Sequence, residues 1–241
     1  MTRGVALVTG ARGGLGQALI RRLRQAEYDV IAHSRGAVLD TDTAVRWLEG
    51  DLSDPVIAQR IADQAGRVDL LVNNAADQSL GALDVLTAED WAAMIGATLM
   101  SAVNLAHAAH STMGSGASII NISSVEATSP FPRHAHYAAA KAALESFTRS
   151  AAMEWGAAGV RVNAVAPGLI DRPGLELDWP EGVAWWRQTS PLGRPVTPDE
   201  VADAVLFLAG ASGVSGVVLP VDGGWIPFPT PRGSRGARTG G

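Results

Sequence analysis

Apolar runs of strand length alternate with longer segments of helical period along most of the chain. GVALV (4–8), DVIAH (29–33), VRWLE (45–49), DLLVN (69–73), SIINI (118–122), RVNAV (161–165) and GVVLPV (216–221) read as strands. Several are apolar at consecutive positions, the pattern of a parallel sheet covered on both faces. Helical patterns fall between them at about 14–27, 54–65, 87–113, 137–157 and 198–209. In the fourth, Ala140, Leu144, Phe147 and Ala151 recur at steps of four, three and four, one buried stripe. Thr197-Pro198-Asp199-Glu200 opens the last with a capping residue, a proline at the first helical position and acids in the first turn. The alternation predicts an α/β fold: a doubly wound parallel sheet of about seven strands with right-handed crossovers, in one domain over 1–225. The segment IPFPTPRGSRGARTGG (226–241), rich in Pro, Gly and Arg, reads as a loose C-terminal tail.

Composition narrows the function. The 241 residues carry 19 basic and 24 acidic side chains, a net −5. There is no run of like charge to suit nucleic acid or an anionic membrane. The absence of cysteine excludes disulfides and thiolate chemistry. No signal peptide is visible, and no apolar run is expected to approach the roughly 20 residues that span a bilayer. A soluble, cytoplasmic protein is expected, acting on a small molecule. Among the basic residues 18 are arginine and one, Lys141, is lysine; it lies four residues after Tyr137, one of two tyrosines.

The first predicted strand runs into TGARGGLG, where Gly10, Gly14 and Gly16 lead into a helix. Strand, tight glycine turn and helix N-terminus form the context of a dinucleotide pyrophosphate. The spacing is G-x-x-x-G-x-G, and glycine clusters also serve ordinary turns; the strand and helix around this one favour the site. The nucleotide is decided at the end of the second strand, where an NAD site places an acid. Here the strand ends Ser34-Arg35; Asp29 lies at its wrong end and Asp40 too far on. An arginine fork beside a hydroxyl suits a 2′-phosphate, hence NADP(H), with Arg12 as a second positive contact.

With TGARGGLG, NNAA (73–76), NISS (121–124), YAAAK (137–141), PG (167–168) and VDGG (221–224) in this order, the chain resembles the short-chain dehydrogenase/reductase family from about residue 4 to 225. The resemblance implies a Rossmann fold, a transferred hydride, and a homotetramer or homodimer. It makes Tyr137 the acid/base, Lys141 its partner and Ser124 the hydroxyl that holds the substrate oxygen. Asp51 matches an adenine-contacting acid and Asn73 the first asparagine of the family's N-N-A-G motif. Leu15, Leu52, Ala75, Pro167, Gly168 and Ile170 fall at cofactor positions, and Glu126 beside the substrate. Tyr137 and Lys141 stand at i and i+4 on one helical face, and a cation there is expected to favour the phenolate.

Two positions depart from the family. Its further catalytic asparagine falls on Thr98, whose hydroxyl is expected to bond the Met94 carbonyl one turn back and hold part of the proton relay. Asn104 lies about 240° away around a regular helix. The threonine of P-G-x-x-x-T, which meets the nicotinamide carboxamide, is replaced by Arg172. Residues 171–195 correspond to the variable substrate-covering loop and hold Trp179, Trp185 and Trp186. These either wall an apolar substrate or pack the loop against the body or a neighbouring subunit. The histidines show no metal spacing, and no metal is expected; His134 and His136 read as polar surface. The sequence therefore points to an NADPH-dependent carbonyl reductase. Reduction of a C=N bond in an imine or pterin, and a non-catalytic dinucleotide sensor, are the alternatives.

Overall fold

The computed structural model describes residues 3–36 and 45–225; the tail at 226–241 and Asp40 lie outside them. Seven parallel strands form one sheet: β1 (Gly4–Val8), β2 (Tyr28–Ser34), β3 (Arg46–Glu49), β4 (Leu70–Asn73), β5 (Ser118–Ile122), β6 (Arg161–Pro167) and β7 (Val218–Val221). Their order is β3-β2-β1-β4-β5-β6-β7. The chain starts in the middle, winds outward to β3, then returns to β4 on the other side of β1. That reversal leaves a crevice beyond the carboxyl ends of β1 and β4, where doubly wound sheets bind ligands.

The consecutive apolar residues of the strands are needed because both faces are covered. Ala6 and Val8 face one layer, where Leu19 and Leu23 of α1 (Gly14–Gln25) and Val201, Val205 and Leu208 of α8 (Pro198–Gly210) complete the core. Leu7, Leu71 and Ile119 face the other, against α2 (Pro55–Ala65), α4 (Ser101–His110) and α5 (Ala135–Trp155). Alternate residues of a strand thus enter different cores.

Starts of helices follow the capping chemistry of the sequence. Asp54 caps α2 ahead of Pro55; Thr87 and Asp90 form a capping box on α3 (Ala88–Ile95); Thr197 and Glu200 form another on α8 behind Pro198. The segment expected as one helix at 87–113 is continuous over Ala88–His110, but Gly96–Met100 turns as a π-helix between α3 and α4. Contrary to expectation, this 23-residue run is long enough for a bilayer span and contains an 18-residue window of mean hydropathy 1.3. In this fold one face of it packs inward: Met94, Ala102, Leu105 and Ala109 are buried. The loop at 171–195 contains two helices, α6 (Leu175–Asp178) and α7 (Pro180–Thr189).

Candidate active site

The crevice is closed at its base by an asparagine. Asn74 donates its side-chain amide to the Thr9 and Gly10 carbonyls at 2.9 and 3.1 Å, while the backbone N–H groups of Asn74 and Ala75 both donate to Thr9 Oγ1 at 2.9 Å. These bonds tie the end of β4 to the glycine turn. Gly10 takes φ +61°, and a Cβ there would lie 2.8 Å from the Ala75 Cα; one on Gly16 would lie 2.5 Å from the Gly10 carbonyl oxygen. Both glycines are required by close backbone approach. A Cβ on Gly14 would meet nothing within 4 Å. The N-terminus of α1 has no side-chain cap, unlike α2, α3 and α8, and no acid in its first turn, unlike α3 and α8. Free N–H donors, a positive helix end and an open glycine surface fit the pyrophosphate of a dinucleotide.

At the adenosine end Arg12 and Arg35 are exposed. Asp51 is held below the usual carboxylate range, chiefly by bonds from the Ser53 N–H and hydroxyl (2.9 and 2.8 Å) and further by the nearby charges of Arg35 and His33. Three expected cofactor residues lie differently. Ser34 is buried and its hydroxyl donates to the Gly36 carbonyl. The Leu52 side chain belongs to the core. Asn73 is an interior residue, donating to Asn121 Oδ1 at 2.9 Å, because its side chain points into the sheet layer rather than the crevice. Asn74, one residue on, was missed by the motif reading.

The groups expected to react meet at the end of β5. Ser124 follows the strand and caps the 3₁₀ turn Val125–Ala127, accepting from the Glu126 N–H at 3.1 Å. A serine hydroxyl that accepts there still has its own proton to donate, and Ser124 is hydrogen-bonded to Tyr137. Tyr137 and Lys141, one turn apart on α5, are 6 % and 2 % exposed. Lys141 Nζ donates to the Ile122 carbonyl at 2.6 Å and stands 5.5 Å from the Tyr137 ring centre. The expected lowering of the phenol does not occur. Burial, then the Glu126 carboxylate, push Tyr137 above the ordinary phenol value, with hydrogen bonds from Ser124 and Gln78 pulling back only part of the way. Burial likewise brings Lys141 down to about 7. The physical reason is common to both: desolvation penalises each charged form more than the partner relieves it.

A family model described as Enoyl-(Acyl carrier protein) reductase matches residues 10–226. An uncharacterised short-chain type dehydrogenase/reductase of Sinorhizobium fredii is 36% identical over 97% of this chain, which spans 46% of that protein's length. The 3-oxoacyl-[acyl-carrier-protein] reductase of Thermotoga maritima is 34% identical, over 92% of this chain and 97% of its own. The gluconate 5-dehydrogenase of Burkholderia cenocepacia, solved with NADP and tartrate, superposes with TM-score 0.83 at 30% identity, covering 93% of this chain and 95% of that one. The chain belongs to the short-chain dehydrogenase/reductase family. It is an oxidoreductase of a family that uses a nicotinamide dinucleotide.

Within this family frame, the remaining site residues divide. Thr98 is fully buried in the π turn, but its hydroxyl donates to Met94 Sδ at 3.4 Å instead of the Met94 carbonyl, and accepts from the Asp77 N–H at 3.2 Å. The π turn changes which groups one turn back can be reached. Thr98 thereby anchors the loop after β4, next to Gln78. Asn104 bonds the Leu52 and Ser53 carbonyls at 3.0 and 3.1 Å, away from Lys141. Arg172 is exposed and paired with Asp178 at 2.6 Å.

The tryptophans of the lid resolve into two kinds. Trp186 is 1 % exposed and stacked on Trp225 (5.3 Å, 14°), a packing residue rather than a substrate wall. Its ring lies so close to Gly168 that a Cβ there would be 2.4 Å away. Pro167 and Gly168 thus end β6 where the lid rests on it, and Ile170 bridges to Val196. Trp179 and Trp185 are partly exposed, at 41 % and 38 %. His134 is no surface residue: it bonds Glu126 at 3.0 Å and stacks on Tyr137 (4.8 Å, 30°). Glu126 is thereby occupied from within the protein. Among the described residues no group of three or more His, Asp or Glu could hold a metal.

Proposed function

We propose that this protein is an NADPH-dependent reductase of a ketone or aldehyde. The observation that carries the reading is a buried Tyr137, with the Ser124 hydroxyl bonded to it and Lys141 Nζ 5.5 Å from its ring centre, whose own hydroxyl burial and Glu126 keep protonated. A phenol held in its acid form is set up to give a proton, which is what carbonyl reduction requires. The dinucleotide, when bound, supplies the hydride. Tyr137 donates its proton to the substrate oxygen, and the Ser124 hydroxyl donates a hydrogen bond to the same oxygen as charge develops on it. Lys141, with a proton affinity near neutrality, can return a proton to Tyr137. The 3-oxoacyl reductase relative supports a carbonyl substrate, and the NADP complex of the gluconate dehydrogenase supports the nucleotide.

Arg12 and Arg35 are the residues proposed to meet the 2′-phosphate. Exposed Met153 and Phe207, on α5 and α8, favour a homo-oligomer. Titration is expected to show tighter binding of NADPH than NADH, and Arg35→Ala should remove most of the difference. One charged phosphate contact is worth about 1.5–3 kcal/mol, roughly ten- to a hundredfold in affinity. Preference for NADH in the wild type would refute the nucleotide assignment. A panel of ketones, imines and pterins, followed by NADPH oxidation, tests the substrate class; turnover of the imines or pterins alone would give the site to C=N reduction.

A further inference from the structure

The pair formed by Glu126 and His134 passes neither the hydride nor the proton of carbonyl reduction, yet it is built into the wall of the site. His134 Nδ1 lies 3.0 Å from both carboxylate oxygens of Glu126, and its Nε2 lies 3.3 Å from the Gln78 carbonyl oxygen. The Phe131 N–H adds a bond of 3.3 Å to Glu126. Both side chains are largely buried, at 14 % and 10 % exposure. A carbonyl and an ionised carboxylate can only accept, whereas a neutral imidazole has a single N–H to give. Only the doubly protonated ring satisfies both partners. That ring lies flat on Tyr137, 4.8 Å centre to centre. Gln78 closes the arrangement, since its carbonyl holds His134 while its side chain bonds Tyr137.

We propose that His134 and Glu126 are positioning residues for the reaction, an imidazolium–carboxylate pair that clamps Tyr137 as proton donor and releases it when His134 loses a proton. This rests on the reading of Tyr137 as the donor. Deprotonation must turn a ring lone pair toward either Glu126 or the Gln78 carbonyl, so one end of the clamp opens. It also leaves an unpaired negative charge beside the phenol, which then holds its proton more tightly. Glu126 already raises the proton affinity of His134 through their hydrogen bond, and that of Tyr137 through its charge. The other charged group facing Tyr137 is Lys141. His136, two residues from His134, sits edge-on to Trp91 instead.

The experiment uses the Tyr28→Phe protein, in which Tyr137 is the sole tyrosine. The His134 ring proton is followed by NMR, tyrosinate by absorbance and kcat for an accepted ketone against pH, each with and without Glu126→Gln. His134 is expected to titrate above 6.5, the value of a free histidine. In Glu126→Gln its titration and the alkaline fall of kcat should move to lower pH together, and tyrosinate should form at lower pH. His134→Phe, which keeps a stacked ring, should lose roughly tenfold in kcat with KM within about twofold, and lose the His134-linked fall. The pair is overturned if His134 titrates at or below 6.5, if the kcat profile stays put while His134's titration moves, or if His134→Phe keeps the same profile shape. Should no ketone turn over, the carbonyl reading fails separately. The tyrosinate absorbance then still decides the pair: unchanged in Glu126→Gln, it sinks the proposal.

Discussion

Lys141 is a residue kept at a cost. Its folded value near 7 lies well below the 10.5 of a free lysine, because the ammonium is fully buried with the Ile122 carbonyl as its hydrogen-bond partner. Between those values the unfolded chain binds the proton and the folded one does not, so this group makes the fold more stable as pH rises from 7 toward 10.5. Below pH 7 the cost is present in full. Lys141→Met should therefore raise Tm by several degrees at about pH 6 and by less at about pH 9, while abolishing turnover. A lower Tm at about pH 6 would show that the bond to Ile122 outweighs desolvation. His134 has the opposite sign: its raised value stabilises the loop fully below 6.5 and the gain is lost as pH rises through the folded value. Tyr137, Lys141 and Ser124 were legible in the sequence because two of them share a helix face and the third ends a strand. The family resemblance put Glu126 beside the substrate, but its pairing with His134 was not legible, since a loop of irregular backbone brings the two together and no period announces it.

At the scale of elements, the site depends on where the helices depart from regularity. α1 begins without the side-chain cap that α2, α3 and α8 each have, which leaves its N–H groups open toward the crevice. The π turn at Gly96–Met100 places Thr98 against the Asp77 N–H, one residue before the glutamine that bonds Tyr137. Thr98→Val removes the acceptor at nearly constant shape, leaving a part-buried N–H without its bond. It should slow proton transfer several-fold with NADPH affinity unchanged, read as a drop in single-turnover rate at saturating cofactor. A rate equal to wild type would show that the hydroxyl holds nothing of consequence. Nothing in the sequence flagged the π turn, because apolar spacing is read with a period of 3.6 and Gly-Ala-Thr is no helix breaker. Gly168→Ala tests the lid: a Cβ 2.4 Å from the buried Trp186 ring must displace it, at a cost of about 1–3 kcal/mol. Chemical denaturation should show that loss, and an unchanged midpoint would mean that the lid adjusts freely.

For the whole molecule, the doubly wound sheet fixes what the residues can do. All seven expected strands are present within two residues of their expected bounds, because strands buried on both faces carry apolar runs that only a covered parallel sheet needs. The lid has the sequence pattern of a loop because its two helices are short and their tryptophans serve different surfaces. The connections after β1 and β4 leave in opposite directions and open the crevice, α1 aims its free end into it, and β5 and α5 bring Ser124, Tyr137 and Lys141 to its far end. Every part of this arrangement converges on one proton, that of the Tyr137 hydroxyl. The measurement that tests it most directly is steady-state NADPH oxidation with a ketone accepted by the wild type, comparing it with Tyr137→Phe, and with NADPH binding measured on both. The phenylalanine keeps the ring against His134 and removes only the proton. At least about a hundredfold loss of kcat with cofactor affinity retained is expected; turnover near that of the wild type would contradict Tyr137 as the proton donor.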